Sequence, residues 1–250
     1  MKLVVNADDL GMASAVNNAI LLAFEKGLIS SASIMANMPG FEEACALVRS
    51  HGLNGKIGVH LNLIEGRPLT SEITNCPRFC NDKGFFSKRS LKGAIHLSQK
   101  ELRAVKQEVR CQIQACINNG ITPTHLDSHH HYHFSWAIGS AVIRVAKEKN
   151  IPAIRLNGIY TPETLNIGPI RKFYQAVYNA RLFFSGLAKT RYSCSLACVP
   201  AFLEKQKGIV EVVVHPRLDE SGRLIDLQYK NELKPLIEQL GRHELVPYPG

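Results

Sequence analysis

The sequence predicts an α/β protein in which parallel strands and helices alternate around an irregular (β/α) barrel, built as a single domain over residues 1–250. Three observations lead to this prediction. Apolar, strand-like runs alternate with helical patterns along the whole chain. The length of 250 residues suits one barrel domain. Unusual polar residues stand on or just after separate strands, which is how a barrel assembles an active site at its carboxyl rim.

The first part of the chain reads β-α-β-α-β. Residues 3–7 form an apolar run typical of a buried strand, and residues 14–26 have helical spacing. A second strand is predicted over 31–38 and a second helix over 41–50. Residues 56–63 alternate polar and apolar side chains and are rich in β-branched residues, which predicts a third strand.

The remaining elements follow an irregular excursion predicted at about 64–90, where periodicity is lost. Ser98 and Glu101 then form a capping-box pattern, which predicts a helix that runs to about residue 120. The histidine-rich segment that follows is interpreted as the fourth strand. Beyond it the patterns predict helices at 136–149, 169–188 and 228–240, and strands at 153–157 and 209–215; residues 244–248 follow the last helix.

Residues 124–133 contain five histidines and an aspartate. Neutral imidazole is the commonest metal ligand in proteins, and a carboxylate supplies the anionic partner of a divalent cation. We expect His129, nearest the strand end, to bind a metal ion, with Asp127 or His125 orienting it from behind. The alternative is a solvated polar loop.

Four further residues point to the same rim. His60 lies in an apolar strand, where it is either a ligand or a hydrogen-bonded core histidine. Asp8 and Asp9 follow a strand and project in different directions, so that one can bind metal while the other faces a substrate; their alternative role is a turn or helix cap. His215 ends an apolar strand, which is also an ordinary position for a strand-terminating residue.

The sequence lacks the motifs of other common catalytic mechanisms. The sequence contains no G-x-S-x-G elbow, no glycine-rich phosphate loop and no cysteine at a strand end beside a histidine, which leaves metal-assisted hydrolysis. The seven cysteines favour free thiols over a disulfide framework. Two C-x3-C pairs, Cys76 with Cys80 and Cys194 with Cys198, leave a second, structural metal site open.

Charge is unevenly distributed. The net charge of +9 comes without any nucleic-acid-binding motif, so no nucleic-acid partner is expected. Residues 164–203 contain no acidic residue but several basic ones, which favours an anionic substrate or surface. The helix at 169–188 could dock on anionic lipid, or its aromatic face could pack in the core. No signal peptide or membrane-spanning run is recognised, which predicts a cytoplasmic protein.

The motifs Asn6-Ala7-Asp8-Asp9, Gly58-Val59-His60-Leu61, the run at 124–131 and His215-Pro216 resemble, in this order and spacing, the YdjC-like carbohydrate deacetylases. That family includes chitooligosaccharide deacetylase and a hopanoid-biosynthesis branch. The resemblance implies a barrel of the glycoside hydrolase/deacetylase type, one divalent metal ion (Mg2+ or Zn2+), and removal of an acetyl group from an N-acetylated sugar, which could be lipid-linked or anionic.

The resemblance also implies roles for individual residues. Asp9, His60 and His129 become the metal ligands, Asp8 the general base and His215 the general acid. Rival hypotheses are a metal-dependent phosphoesterase and a non-catalytic sugar-binding protein, and a homodimer is left open. The residues expected to orient the ligands or contact substrate are His125, Asp127, His131, Asn62 and Arg155.

Overall fold

Parallel strands form the centre of the structure, a computed structural model that describes residues 2–87, 96–160, 167–196, 207–239 and 243–249. Eight of the strands belong to one sheet, and two form a separate antiparallel hairpin. The sheet strands are β1 (Lys2–Leu10), β2 (Ser31–Ile34), β3 (Ile57–Leu61), β4 (Leu126–Ser128), β5 (Ile159–Tyr160), β6 (Tyr192–Ser195), β7 (Ile209–Val214) and β10 (Glu244–Leu245). The hairpin strands are β8 (Pro216–Leu218) and β9 (Leu224–Asp226).

The sheet has the order β4-β3-β2-β1-β7-β6-β5, and β10 pairs with the start of β1. All of its pairings are parallel. The sheet is curled and carries helices between its strands, so the predicted α/β class and barrel-like architecture are confirmed. Every residue of β1 after Lys2 and every residue of β3 is buried. Polar side chains on these strands therefore need partners inside the protein.

Most of the predicted helices are present. Ser98 caps the long fourth helix, where its side chain accepts from the Glu101 amide and the Glu101 side chain accepts from the Ser98 amide, as the capping box requires. The described helices are α1 (Ser14–Glu25), α2 (Phe41–Ser50), α3 (Ser71–Thr74), α4 (Gln99–Asn118), α5 (Trp136–Glu148), α6 (Pro169–Phe184), α7 (Leu233–Glu238) and a 3-10 helix (His129–Phe134).

The segment at 153–157, predicted to be a strand, does not pair continuously with a neighbouring strand of the sheet. Only an isolated parallel bridge joins Leu126 to Ile154, and the paired strand β5 begins later. The backbone N–H and C=O of Asn157 are both bonded to the side chain of Asn179 on α6, at 2.8 Å each. These bonds take the place of a strand partner and end the extended segment.

The helix predicted at 228–240 is shorter, because the chain first makes a turn. The Asp226 carboxylate accepts from the amides of Gln228 and Tyr229, and Lys230 adopts a left-handed backbone with φ 55°. Helix α7 can start only after this turn, and residue 240 lies outside the described residues. In the described part of the excursion at 64–90, residues 71–74 form α3, and Cys80 pairs with Phe86.

Within the described ranges, no helix combines the length and the apolar character that crossing a membrane requires.

Candidate metal centre

Three ligand-type side chains from distant parts of the chain meet at one end of the sheet. Asp9 comes from β1, His60 from β3, and His129 from the first residue of the 3-10 helix. Oδ1 of Asp9 lies 3.4 Å from Nε2 of His60 and 3.0 Å from Nδ1 of His129. Their ligand atoms all lie within 4.8 Å of one another. One carboxylate and two imidazoles at this spacing suit a divalent cation and leave a coordination position for water.

The local backbone turns Asp9 toward this cluster. Asp9 has φ 71°, a left-handed conformation that a residue with a side chain rarely adopts, and the pairing of β1 with β2 shifts register between Ala7 and Leu10. Asp8 therefore points toward Arg155 while Asp9 faces the histidines. Such strain is found where the surrounding structure holds a functional side chain in place.

Asp127 fixes the orientation of His60. Its Oδ1 lies 2.8 Å from Nδ1 of His60, and its Oδ2 accepts a hydrogen bond from Ser33 at 2.9 Å. With the Nδ1 proton directed at Asp127, the lone pair of Nε2 faces Asp9. Asp127 thus lies behind His60, whereas the sequence led us to expect it behind His129.

Arg155 joins the buried carboxylates below the cluster. It donates to both oxygens of Asp8, at 2.8 and 2.6 Å, and to Oε1 of Glu211 at 2.8 Å. Its Nη2 also lies 2.6 Å from Oδ2 of Asp127. The single positive charge of the guanidinium therefore offsets part of the repulsion among three buried carboxylates.

Two residues that follow β7, His215 and Arg217, lie beside the cluster of Asp9, His60 and His129. Nε2 of His215 lies 3.9 Å from Oδ2 of Asp8, and the His215 side chain is 25% exposed. Arg217, in β8, donates to Oδ2 of Asp9 at 3.0 Å. Of His215 and Asp8, His215 is therefore the side chain that solvent reaches, and Asp8 is buried.

The structure places the other predicted residues around this cluster in different ways. The His125 ring is buried and stacks on Tyr248 at 3.8 Å between ring centroids. His131 has φ 60° and stacks on Phe134. The Asn62 side chain accepts from the amides of residues 64 and 65 and so builds the turn after β3. Within the described residues, the side chains of His125, His131 and Asn62 form no hydrogen bond to Asp9, His60 or His129.

The chain is similar to known proteins over almost its whole length. A family model described as YdjC-like protein matches residues 2–244. The chain belongs to the YdjC-like family. A protein of Halalkalibacterium halodurans called carbohydrate deacetylase is 34% identical, with 98% of each chain covered. One of the same name from Vibrio parahaemolyticus is 31% identical, covering 98% of this chain and 94% of the relative.

Solved structures share the fold of this YdjC-like protein. A structure described as a cellobiose-phosphate cleavage protein of Enterococcus faecalis aligns with a TM-score of 0.71 at 22% identity, covering 99% of this chain and 97% of that one. A lactam utilization protein of Thermus thermophilus aligns with a TM-score of 0.54 at 15% identity, covering 99% and 100%. At these identities the likeness concerns the fold alone.

The electrostatics of the YdjC-like site fit a metal ion. Burial alone would raise the pKa of Asp9, yet its contacts with His129 and His60 hold that pKa below the ordinary carboxyl value. Burial opposes protonation of His60, but the carboxylates of Asp127 and Asp8 outweigh it and raise its pKa to about 10. The site therefore attracts a positive charge at Nε2 of His60, which a divalent cation can supply in place of a proton.

A buried atom supports the same conclusion. Oδ1 of Asp9 is buried and accepts no hydrogen bond, although two ring nitrogens lie near it. An unsatisfied carboxylate oxygen is costly unless a cation or proton compensates it. The residues present therefore fit a divalent metal ion. A second group, Glu65, His129 and His130, shares His129 with this cluster.

The sequence analysis missed several members of the site. The Asn6 side chain donates a hydrogen bond to Asp8 at 3.0 Å. Ser33 donates to Asp127, and Arg217 donates to Asp9. Glu211 accepts from Arg155 and Ser193. The sequence did contain one signal for this network: Glu211 is a charged residue inside an apolar strand, and such a residue requires a buried partner.

The cysteine pairs take no part in any metal-ligating group of the described residues. Cys76 and Cys80 are buried free thiols, and Cys194 is buried in β6. Cys198 lies outside the described residues, so the second C-x3-C pair stays a sequence prediction.

Proposed function

We propose that this YdjC-like protein is a metal-dependent hydrolase that removes the acetyl group from an N-acetylated sugar. The observation that carries the proposal is the convergence of Asp9, His60 and His129 beside Asp8 and His215. The relatives called carbohydrate deacetylase support the reaction class and the sugar substrate. The two-histidine, one-carboxylate set accepts zinc, cobalt or manganese, and the family resemblance also allows magnesium.

Asp9, His60 and His129 would hold the metal ion. A bound divalent cation supplies a Lewis acid that polarises the amide carbonyl and raises the acidity of a water molecule. Asp127 keeps His60 in the required tautomer, because it holds the Nδ1 proton.

Asp8 acts as the general base. Burial would raise the pKa of Asp8, but the Arg155 guanidinium beside it lowers that pKa, so the carboxylate is ionised at neutral pH. The same contacts make Asp8 a weak base. A weak base is sufficient to accept a proton from a water molecule whose acidity has been raised. Asp8 accepts the proton that the attacking water loses.

His215 acts as the general acid. Its ring is partly exposed and lies near Asp8, so it can protonate the departing sugar nitrogen as the C–N bond breaks. Protonation is required because an amine anion is too poor a leaving group. The products are acetate and a sugar with a free amine.

Metal-stripped protein reconstituted with zinc, cobalt, manganese or magnesium tests the proposal in an acetate-release assay. The substrates are N-acetylglucosamine oligomers and lipid-linked N-acetyl sugars. His129→Ala and Asp9→Ala should lose both metal binding and turnover. Asp8→Asn should retain the metal and lose activity by on the order of 10²- to 10⁴-fold.

The same assay separates the rival functions. Phosphate release from sugar phosphates without acetate release would identify a phosphoesterase. Sugar binding without turnover under every metal would identify a binding protein. Full activity of Asp8→Asn or His129→Ala would contradict the assigned roles.

A further inference from the structure

One face of α6 exposes large apolar side chains. Ile170 and Phe184 are each 85% exposed, and Phe173 is 72% exposed. Val177 is also exposed and lies four residues after Phe173 and seven before Phe184. These spacings place the four side chains on one side of the helix, where they form a continuous apolar face.

A different face of α6 supplies the core contacts. Tyr178 and Leu182 are buried, and the Tyr174 hydroxyl donates to the backbone oxygen of Phe134 at 2.6 Å. The aromatic residues of this helix are therefore divided: the tyrosines pack inward, while Phe173 and its exposed neighbours do not. Among the described residues, the apolar face therefore contributes little to the core.

The charges beside this face favour an anionic partner. Arg171 and Lys172 are exposed at the start of α6, and residues 167–196 contain no aspartate or glutamate. A second copy of this face could not compensate these cations, because the described segment that contains it carries no acidic residue. An anionic surface would compensate them instead.

We propose that α6 docks peripherally on an anionic phospholipid bilayer. Ile170, Phe173 and Phe184 enter the boundary between headgroups and acyl chains, while Arg171 and Lys172 contact lipid phosphates. The Tyr174 contact with Phe134 ties α6 to the end of the 3-10 helix that begins at His129, so docking holds the metal centre near the bilayer. The docking is independent of the proposed activity.

Co-sedimentation of the full chain with vesicles tests this proposal. We expect binding to vesicles that contain phosphatidylglycerol, weaker binding at high salt, and little binding to phosphatidylcholine alone. Phe173→Ser with Phe184→Ser should weaken binding by about tenfold or more. Arg171→Gln with Lys172→Gln should weaken it by roughly thirtyfold.

The matched control is Ile117→Ser, a 38% exposed apolar residue on α4, which should leave vesicle binding unchanged. Circular dichroism would verify that each variant is folded, which is expected because the substituted side chains are exposed. Absence of pelleting, or equal pelleting with both lipids at all salt concentrations, would overturn the proposal. So would light scattering that finds a dimer which Phe173→Ser with Phe184→Ser converts to monomers.

Discussion

The guanidinium of Arg155 forms a two-pronged ion pair with the carboxylate of Asp8, and neither side chain has more than 1% of its surface exposed. The pair connects the base of the proposed reaction to two other carboxylates, because Arg155 also reaches Asp127 and Glu211. The position of Asp8 therefore depends on a residue 147 positions later in the chain.

Replacing Arg155 by methionine should lower the free energy of unfolding by about 3–5 kcal/mol, because it leaves three buried carboxylates without their cation. Urea denaturation at pH 7 measures this loss. Arg155→Lys is the control: it keeps the charge but cannot form the two-pronged pair, and an intermediate loss is expected. Wild-type stability of the methionine variant would show that the ion pairs do not stabilise the fold.

Asp127→Asn should weaken metal binding by roughly 10- to 100-fold, because an amide no longer holds His60 in the tautomer that directs its Nε2 lone pair at the metal. Titration calorimetry with zinc measures the affinity. Asp82→Asn, at an exposed position, is the control and should bind like the wild type. Equal affinities for the two variants would contradict the orienting role of Asp127.

Gly58→Ala should destabilise the fold by about 1–3 kcal/mol, because the added Cβ would lie 2.3 Å from the Cε1 atom of the buried His125 ring. Thermal and urea denaturation measure the effect. In a double-mutant cycle with His125→Ala, the alanine at position 58 should cost much less, because the clashing ring is gone. Additive losses would place the origin of the strain elsewhere.

His125 should make stability depend on acid. Burial lowers its pKa to about 4, below the ordinary value of 6.5, so the folded state keeps the ring neutral while the unfolded chain takes up a proton. This contribution is constant above about pH 6.5, and stability falls as the pH drops from there toward about 4, by at most about 1.4 kcal/mol per pH unit.

Urea denaturation of wild type and His125→Gln between pH 8 and pH 4.5 tests the titration. The glutamine variant should lose less stability than the wild type on acidification, whatever its stability at pH 8. Both proteins contain His131 and His133, whose pKa values burial also lowers. Comparing how steeply the free energy of unfolding changes with pH in the two proteins therefore cancels the contribution of these histidines. Parallel slopes would assign the acid sensitivity to those other histidines.

Local sequence was sufficient for the elements that local interactions stabilise. Helix α4 could be predicted because Ser98 and Glu101 cap it within four residues, and β3 because its apolar pattern has the period of a strand. The segment at 153–157 could not be predicted correctly, because the groups that end it belong to Asn179, on a helix that follows later.

The sequence by itself determined the α/β class and the family motifs, since these depend on residue type and spacing along the chain. Through the resemblance to the family, those motifs also named the candidate ligands Asp9, His60 and His129. Only the tertiary structure decided which atoms meet. It showed that Asp127 contacts His60 and that Arg155 joins Asp8 to Glu211. It also showed that the phenylalanines of α6 are exposed. The physical reason is that hydrogen bonds and ion pairs in a parallel sheet form between strands that are far apart in sequence, and their geometry is set by register and by the left-handed turn at Asp9.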